Sequence, residues 1–479
     1  MSAMAAATRI EHDFLGELAV PAAAYYGIQT LRASENFRIS GIKMHLEPSF
    51  IEAFALVKKA AARANVQCGV LDLTKAAAIE YACDQLLSGN YHDQFITDLI
   101  QGGAGTSVNM NANEVIANIG LEHMGYAKGD YDHLHPNNHV NASQSTNDAY
   151  PTAIHLALFR KVDAFIEALR RLQEAFRKKA TEFSHVLKMG RTQLQDAVPM
   201  TLGQEFDSFA VTIGEDIRRM ESAQKLLTDV NMGGTAIGTG LNAPNGYAKI
   251  CVAELGQLSG IPVVLAEDLI EASSDMGDYV EVSAALKRSA VKISKICNDL
   301  RLLSSGPRAG LAEINLPKMQ PGSSIMPGKV NPVIPEVVNQ TAFYVIGADL
   351  TVTIAAEAGQ LQLNVMEPVI AFSMFTSFTY FTNAIHTLVE LCITGITANE
   401  ERCRDYVMGS IGIVTALNPI LGYETSAAIA KEALASGKVP RQIVVEERKL
   451  LTPEQWDAIY TVENMVHPDF SKQEDAKGA

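Results

Sequence analysis

The stretch GSSIMPGKVNP, residues 322 to 332, sets Ser323, Ser324, Lys329 and Asn331 among two glycines and two prolines. Pro327 and Pro332 restrict the backbone while Gly322 and Gly328 free it, so the stretch is a shaped loop with two hinges and cannot be an ordinary helix. A loop held only for packing needs neither two adjacent serines nor a lysine and an asparagine. Hydroxyl and cationic donors so placed suit the capture of an anion.

Three further polar clusters could take part. GGAGTSVNMNANE (102 to 114) sets three glycines before Thr106 and then turns helical, the form of an anion-binding helix N-terminus, although a plain capped helix has the same form. NASQSTNDAYP (141 to 151) crowds Ser143, Ser145, Thr146, Asn147 and Asp148 before a long helix, with more donors than one cap uses. GRTQLQDAVPMTLGQEF (190 to 206) offers Arg191, Thr192 and Gln193, and a Pro-interrupted helix is expected after them; a polar turn between bundle helices also accounts for it.

Two patterns are set aside. GTGLNA (238 to 243) fits a dinucleotide-binding G-x-G-x-x-A with Glu267 further on, but Gly233 and Gly234 break the strand it requires, and no alternation of strands and helices surrounds it. His133, His135 and His139 in DHLHPNNHVN surround a proline and paired asparagines, which make a turn rather than a metal ligand set. No metal and no cofactor are expected.

The elements that position these clusters are helical. Leu158, Val162, Phe165, Leu169, Leu172 and Phe176 line one helix face, as do Val282, Leu286, Ser289, Ile293, Ile296, Leu300 and Leu303, and later Phe381, Ile385, Leu388 and Cys392. Long helices with narrow apolar seams pack at small crossing angles, so the fold class is mainly α with a central long-helix bundle. At 479 residues, and roughly 150 per domain, about three domains fit. We place them at 1–146, 147–401 and 402–479, the last small, with a helix begun by Thr452 as N-cap and Pro453 at N1. Seams this long exceed what one domain needs, so the surplus apolar face is expected to meet other copies of the chain.

Apolar residues make up 47% and charged residues 19%, the balance of a soluble fold. A net charge of −15 with no basic block opposes nucleic acid and anionic membrane surfaces, and an anionic substrate would depend on local donors. The six cysteines show no C-x-x-C spacing and read as buried free thiols. The N-terminus lacks a leader pattern and no long uncharged apolar span follows, so a cytoplasmic protein is expected; the polar tail SKQEDAKGA is expected to fray.

In this order the four clusters resemble the aspartase/fumarase superfamily of lyases, whose signature loop is G-S-S-x-M-P-x-K-x-N-P. Residues 322 to 332 match it at every specified position, and the resemblance spans nearly the whole chain. Residues 9–37, 267–280 and 331–340 look like the aspartase branch. The class II fumarases generally carry a histidine after G-R-T and an N-P-T-Q-C-E tract after the signature; here Gln193 and Val333-Ile334-Pro335 stand, with Glu336 retained. The chemistry agrees. Expulsion of hydroxide needs a positioned proton donor, which Gln193 cannot be, whereas an ammonium departs as neutral ammonia without one.

The resemblance implies a three-domain lyase assembled as a tetramer around a helical core, with each site shared by three subunits and L-aspartate converted reversibly to fumarate and ammonia. It implies Ser323 as general base acting through an aci-carboxylate, with backbone N–H groups and a cation such as Lys329 lowering its pKa. Thr106, Ser145, Thr146 and Ser324 would hold the carboxylate that becomes the aci-form. Lys329, Asn331, Thr192 and Gln193 would hold the other, Asn147 would lie near the ammonium, and Gly322 and Gly328 would be hinges of a lid. A class II fumarase is the alternative; an NAD-dependent oxidoreductase and a catalytically silent scaffold are remote ones.

Overall fold

The computed structural model describes residues 7–466, so the 471–479 tail lies outside the described residues. The chain is mainly helical and forms two compact units, Met1–Glu167 with Ile217–Val291 and Ala342–Thr382, and Ala168–Asp216 with Lys292–Thr341 and Asn383–Ala479.

The first unit opens on an antiparallel hairpin, β1 (Thr8–Asp13) and β2 (Gly16–Pro21), followed by α1 (Ile28–Asn36), α2 (Pro48–Gln67), α3 (Leu73–Leu87) and α4 (Thr106–His123). Glu114 of α4 is buried and accepts hydrogen bonds from the backbone N–H groups of Gly27, Gln29 and Thr30 and from the Thr30 hydroxyl. It thus satisfies the donors that begin α1, and burial nevertheless pushes its carboxyl up to about 7.

Five long helices have residues in both units: α5 (Thr146–Glu182), α6 (Leu202–Gln224), α8 (Gly277–Leu303), α9 (Val333–Glu357) and α10 (Glu367–Leu391). The apolar seams expected on α5 and α8 are buried throughout. Helix α9 is long and apolar enough to cross a membrane by length and mean hydropathy, yet its buried Asp349 is bound by Ser283 and Lys287 of α8, as in a bundle helix. Its Phe343, Leu350 and Ile354 are about 60% exposed, a surplus apolar face of the kind the seams imply.

Helix α7 (Tyr247–Ser259) joins two parallel strands of two residues each, β5 (Asp229–Val230) and β6 (Val264–Leu265). One short β–α–β unit therefore exists, too small for a dinucleotide-binding sheet. Gly238 of GTGLNA is needed for packing instead, since a Cβ there would lie 2.3 Å from Ile270 N. The histidines of residues 133–139 are likewise spent locally: His133 stacks on Tyr126, and His135 Nδ1 accepts from Asn137 N and Asn138 N.

The second unit corrects one expectation. Residues 187–201 form an antiparallel hairpin, β3 (Leu187–Thr192) and β4 (Gln195–Thr201), and not the beginning of a Pro-interrupted helix. Pro199 is tolerated because a two-stranded ribbon has only edge strands, while Leu187 and Met189 bury one face. That face joins a core built by the C-terminal residues, among them Val407 of α11 (Glu400–Gly409), Ile429 of α13 (Tyr423–Ser436) and Trp456 of α14 (Pro453–Ile459). Thr452 and Gln455 make a capping box at α14, with Pro453 in its first turn. The smaller elements are β7 (Ile314–Asn315) paired with β8 (Thr397–Ala398), α12 (Asn418–Leu421) and α15 (Val462–Met465). All six cysteines are free thiols, and all but Cys68 are buried.

Candidate active site

The sequence candidates fall into two groups, one in each unit. In the first unit the turn before α4 is left-handed at Gly103, Ala104 and Gly105, with φ of 86°, 52° and 87°. A Cβ at Gly105 would lie 2.4 Å from the Tyr150 ring of α5, so only glycine lets the start of α4 approach α5 this closely. Thr106 begins α4, exposed, with its hydroxyl donating to Gly103 O at 2.8 Å, and no side chain caps the helix. One turn on, Asn109 Nδ2 donates to Thr146 Oγ1 at 3.1 Å, which ties the 102–114 and 141–151 clusters together.

Helix α5 carries Pro151, whose missing N–H frees the carbonyl of Asn147, four residues earlier. Asn231 Nδ2 takes that carbonyl at 2.9 Å, and Asn147 Nδ2 donates to Ala236 O at 2.7 Å. The remaining polar atom of Asn147 is an acceptor, the polarity an ammonium requires. Ser145 Oγ accepts from Asn147 N at 3.2 Å. Beneath them, buried Asp148 accepts from Ser145 N, Gly233 N and Thr235 N, while burial pushes its carboxyl up to about 6.

Lys58 of α2 was not singled out by sequence. It is fully buried and donates to Asn109 Oδ1 at 2.7 Å, Gln144 Oε1 at 2.8 Å and Asn141 Oδ1 at 2.9 Å. Burial pushes its ammonium down to about 7, Asp148 opposing. The available signal was a lysine within FALVKKAAARAN, an otherwise apolar helical run.

In the second unit the 322–332 loop is clamped at its base. Gly322 N donates to Lys329 O at 2.7 Å, and Asn331 Nδ2 donates to Gly322 O at 2.8 Å. A Cβ on Gly322 would lie 2.8 Å from Lys329 O, so this glycine serves close approach, whereas Gly328 takes φ of 81° in open space. Ser323 Oγ accepts from Met326 N at 3.0 Å and Ile325 N at 3.2 Å. These are the kind of donors that favour an ionised hydroxyl. Ser324 and Lys329 are exposed on the same loop.

Thr192 and Gln193 lie at the tip of the β3–β4 hairpin. Gln193 and Leu194 form its two-residue turn with φ of 53° and 61°. Left-handed backbone at two non-glycine residues costs about 1–2 kcal/mol each. That strain is concentrated on an exposed tip that presents Gln193.

A lyase family model matches residues 16–347, and a fumarase C C-terminal model matches residues 413–467. The chain belongs to this aspartase/fumarase family of lyases. An aspartate ammonia-lyase of Pseudomonas aeruginosa is 62% identical, covering 97% of this chain and 98% of its own. A solved structure described as fumarate lyase:delta crystallin from Brucella melitensis bound to cobalt is 53% identical, with a TM-score of 0.92 over 96% of this chain and 99% of that one. A class II fumarase from Schistosoma mansoni shares the fold at a TM-score of 0.89 and 32% identity, over 97% of this chain and all of its own.

Proposed function

We propose that this protein is an aspartate ammonia-lyase, a carbon–nitrogen lyase that converts L-aspartate reversibly to fumarate and ammonia. Near-full-length identity to an aspartate ammonia-lyase supports the activity. The observation that carries the chemistry is the Ser323 hydroxyl, held between two backbone N–H donors in a clamped loop. Ser323 removes a proton from the carbon beside the carboxylate that is not amino-substituted. The doubly charged aci-carboxylate so formed is stabilised by Thr106, Ser145, Thr146 and Ser324, and one preorganised donor of this kind is worth roughly 3 to 4 kcal/mol. Lys329, Asn331, Thr192 and Gln193 hold the other carboxylate. Asn147 accepts from the ammonium, which leaves as ammonia without a general acid. The 322–332 loop closes over the site to exclude water.

The assembly we propose is a cytoplasmic homotetramer whose sites are shared between subunits. The exposed apolar face of α9 supports contact between copies, and six free thiols suit a reducing compartment. Mixing Ser323→Ala with Thr106→Ala under conditions that exchange subunits is expected to restore part of the activity. No recovery despite demonstrated exchange would mean that one chain makes the whole site.

Absorbance of fumarate tests the reaction: it is expected from L-aspartate and not from L-malate. Equal rates with both would overturn the reading, since the missing proton donor would have proved unnecessary for hydroxide. Gln193→Ala removes one or two hydrogen bonds and is expected to lose about 1 to 3 kcal/mol of transition-state binding, leaving activity reduced but measurable. Gln193→His alone is expected to gain a trace of L-malate dehydration.

A further inference from the structure

The hairpin tip that presents Thr192 and Gln193 is fastened by a buried ion cluster that the reaction itself does not use. Glu313 is fully buried. Its Oε1 lies 2.7 Å from Arg191 Nη1 and its Oε2 3.2 Å from Lys188 Nζ, as ion pairs rather than aligned hydrogen bonds. Lys188 also pairs with Glu205 of α6, so two carboxylates balance two cations where little water reaches.

The hairpin is irregular where these two cations converge. Side chains at 188 and 191 of a regular strand point to opposite faces, but the β3–β4 register shifts between Met189 and Arg191. A Cβ on Gly190 would lie 2.7 Å from Val198 O, so this glycine permits the close packing at the shift. The extra residue lies on β4, where Ala197 and Val198 together face Gly190, and at this irregular point Lys188 and Arg191 both pair with one carboxylate. Arg191 also lies over the Tyr406 ring, its guanidinium carbon 5.3 Å from the centroid.

Glu313 is itself held rigidly. Its backbone O accepts from Asn399 N at 2.9 Å, its N donates to Leu303 O at 2.9 Å, and β7–β8 pairing begins at the next residue. The carboxylate is thus a fixed point, and the residue it grips, Arg191, immediately precedes Thr192. The tip beyond is short, exposed and left-handed at two residues, so it has few other means of holding its aim.

We propose that Glu313 is a positioning residue for substrate binding: through Arg191 it sets the direction in which Thr192 and Gln193 are presented. The proposal rests on the aspartate ammonia-lyase reading for its kinetic consequence only. Gln is nearly isosteric with Glu, so Glu313→Gln keeps the packing while leaving Lys188 and Arg191 with one carboxylate between them.

The test is a double-mutant cycle with L-aspartate, combined with hydrogen exchange of the 190–198 amides. Glu313→Gln is expected to lower kcat/KM about tenfold or more, and Glu313→Asp is expected to recover part of that loss. The double variant with Gln193→Ala should lose no more than the worse single variant, because Gln193 no longer contributes once its tip is misdirected. Additive losses would overturn the proposal. If Glu313→Gln does not assemble, Arg191→Lys, which keeps the charge and loses the planar contact with Tyr406, enters the same cycle with the same two outcomes. Exchange at 190–198 should rise in whichever variant is used while that of α13 stays unchanged. A wild type that forms no fumarate from L-aspartate would remove the activity reading alone; unchanged exchange at 190–198 would overturn the positioning role whatever the activity.

Discussion

Ser323→Ala is expected to fold and assemble as the wild type does and to lose nearly all turnover. The loop does not depend on this hydroxyl for its shape. Its base is closed by the Gly322–Lys329 backbone hydrogen bond and by Asn331 on Gly322 O, neither of which involves the serine side chain. Removing Oγ leaves Ile325 N and Met326 N without their acceptor, but both residues are exposed and water can replace it. The chemistry has no such substitute, because Ser323 Oγ is the loop hydroxyl held by two backbone N–H donors and is the group assigned to take the proton. Circular dichroism and the assembly size should match the wild type while kcat falls by at least about a hundredfold, or about 2.7 kcal/mol. Retention of more than about a tenth of wild-type kcat would exclude Ser323 as general base.

Lys58→Met should damage both stability and turnover, although it removes a buried charge. Methionine matches the length of the lysine stem, and the desolvation that pushes the ammonium down to about 7 disappears with the charge. Against that gain, Asn109 Oδ1 and Gln144 Oε1 lose their donor in the interior, at about 1–3 kcal/mol for each unsatisfied group. Asn141 Oδ1 keeps Asn109 Nδ2 and Asn113 Nδ2, each at 3.2 Å, and suffers less. The two orphaned amides have reason to rotate, and rotation of Asn109 withdraws its Nδ2 from Thr146. The expected result is a lower thermal midpoint together with at least a tenfold fall in kcat/KM, about 1.4 kcal/mol. A wild-type midpoint with wild-type kinetics would show that the amides repack without the lysine and that it does not organise the 141–148 loop.

Much of this protein was legible in the sequence because it is local. The seams on α5 and α8 follow from a helix's repeat, and any helix with apolar residues at those steps must bury that face. The capping box at Thr452 is written within four consecutive residues. The 322–332 loop is set by its own prolines and glycines, and even the acceptor geometry of Ser323 lies within three residues of it. What only the tertiary structure decided involves partners far apart along the chain. Asn331, expected as a substrate ligand, also donates one amide hydrogen to Gly322 O, a clamp that depends on the loop closing on itself. The sequence predicts a Pro-interrupted helix where the β3–β4 hairpin forms, because the strand character comes from Leu187 and Met189 packing against C-terminal residues more than two hundred positions away, which no local propensity encodes. Lys58 beneath the donor loop and Glu313 behind the hairpin tip look in sequence like ordinary charged residues. Their importance arises from burial, because a charge becomes a fixed point only where the fold removes its water and leaves a few chosen partners.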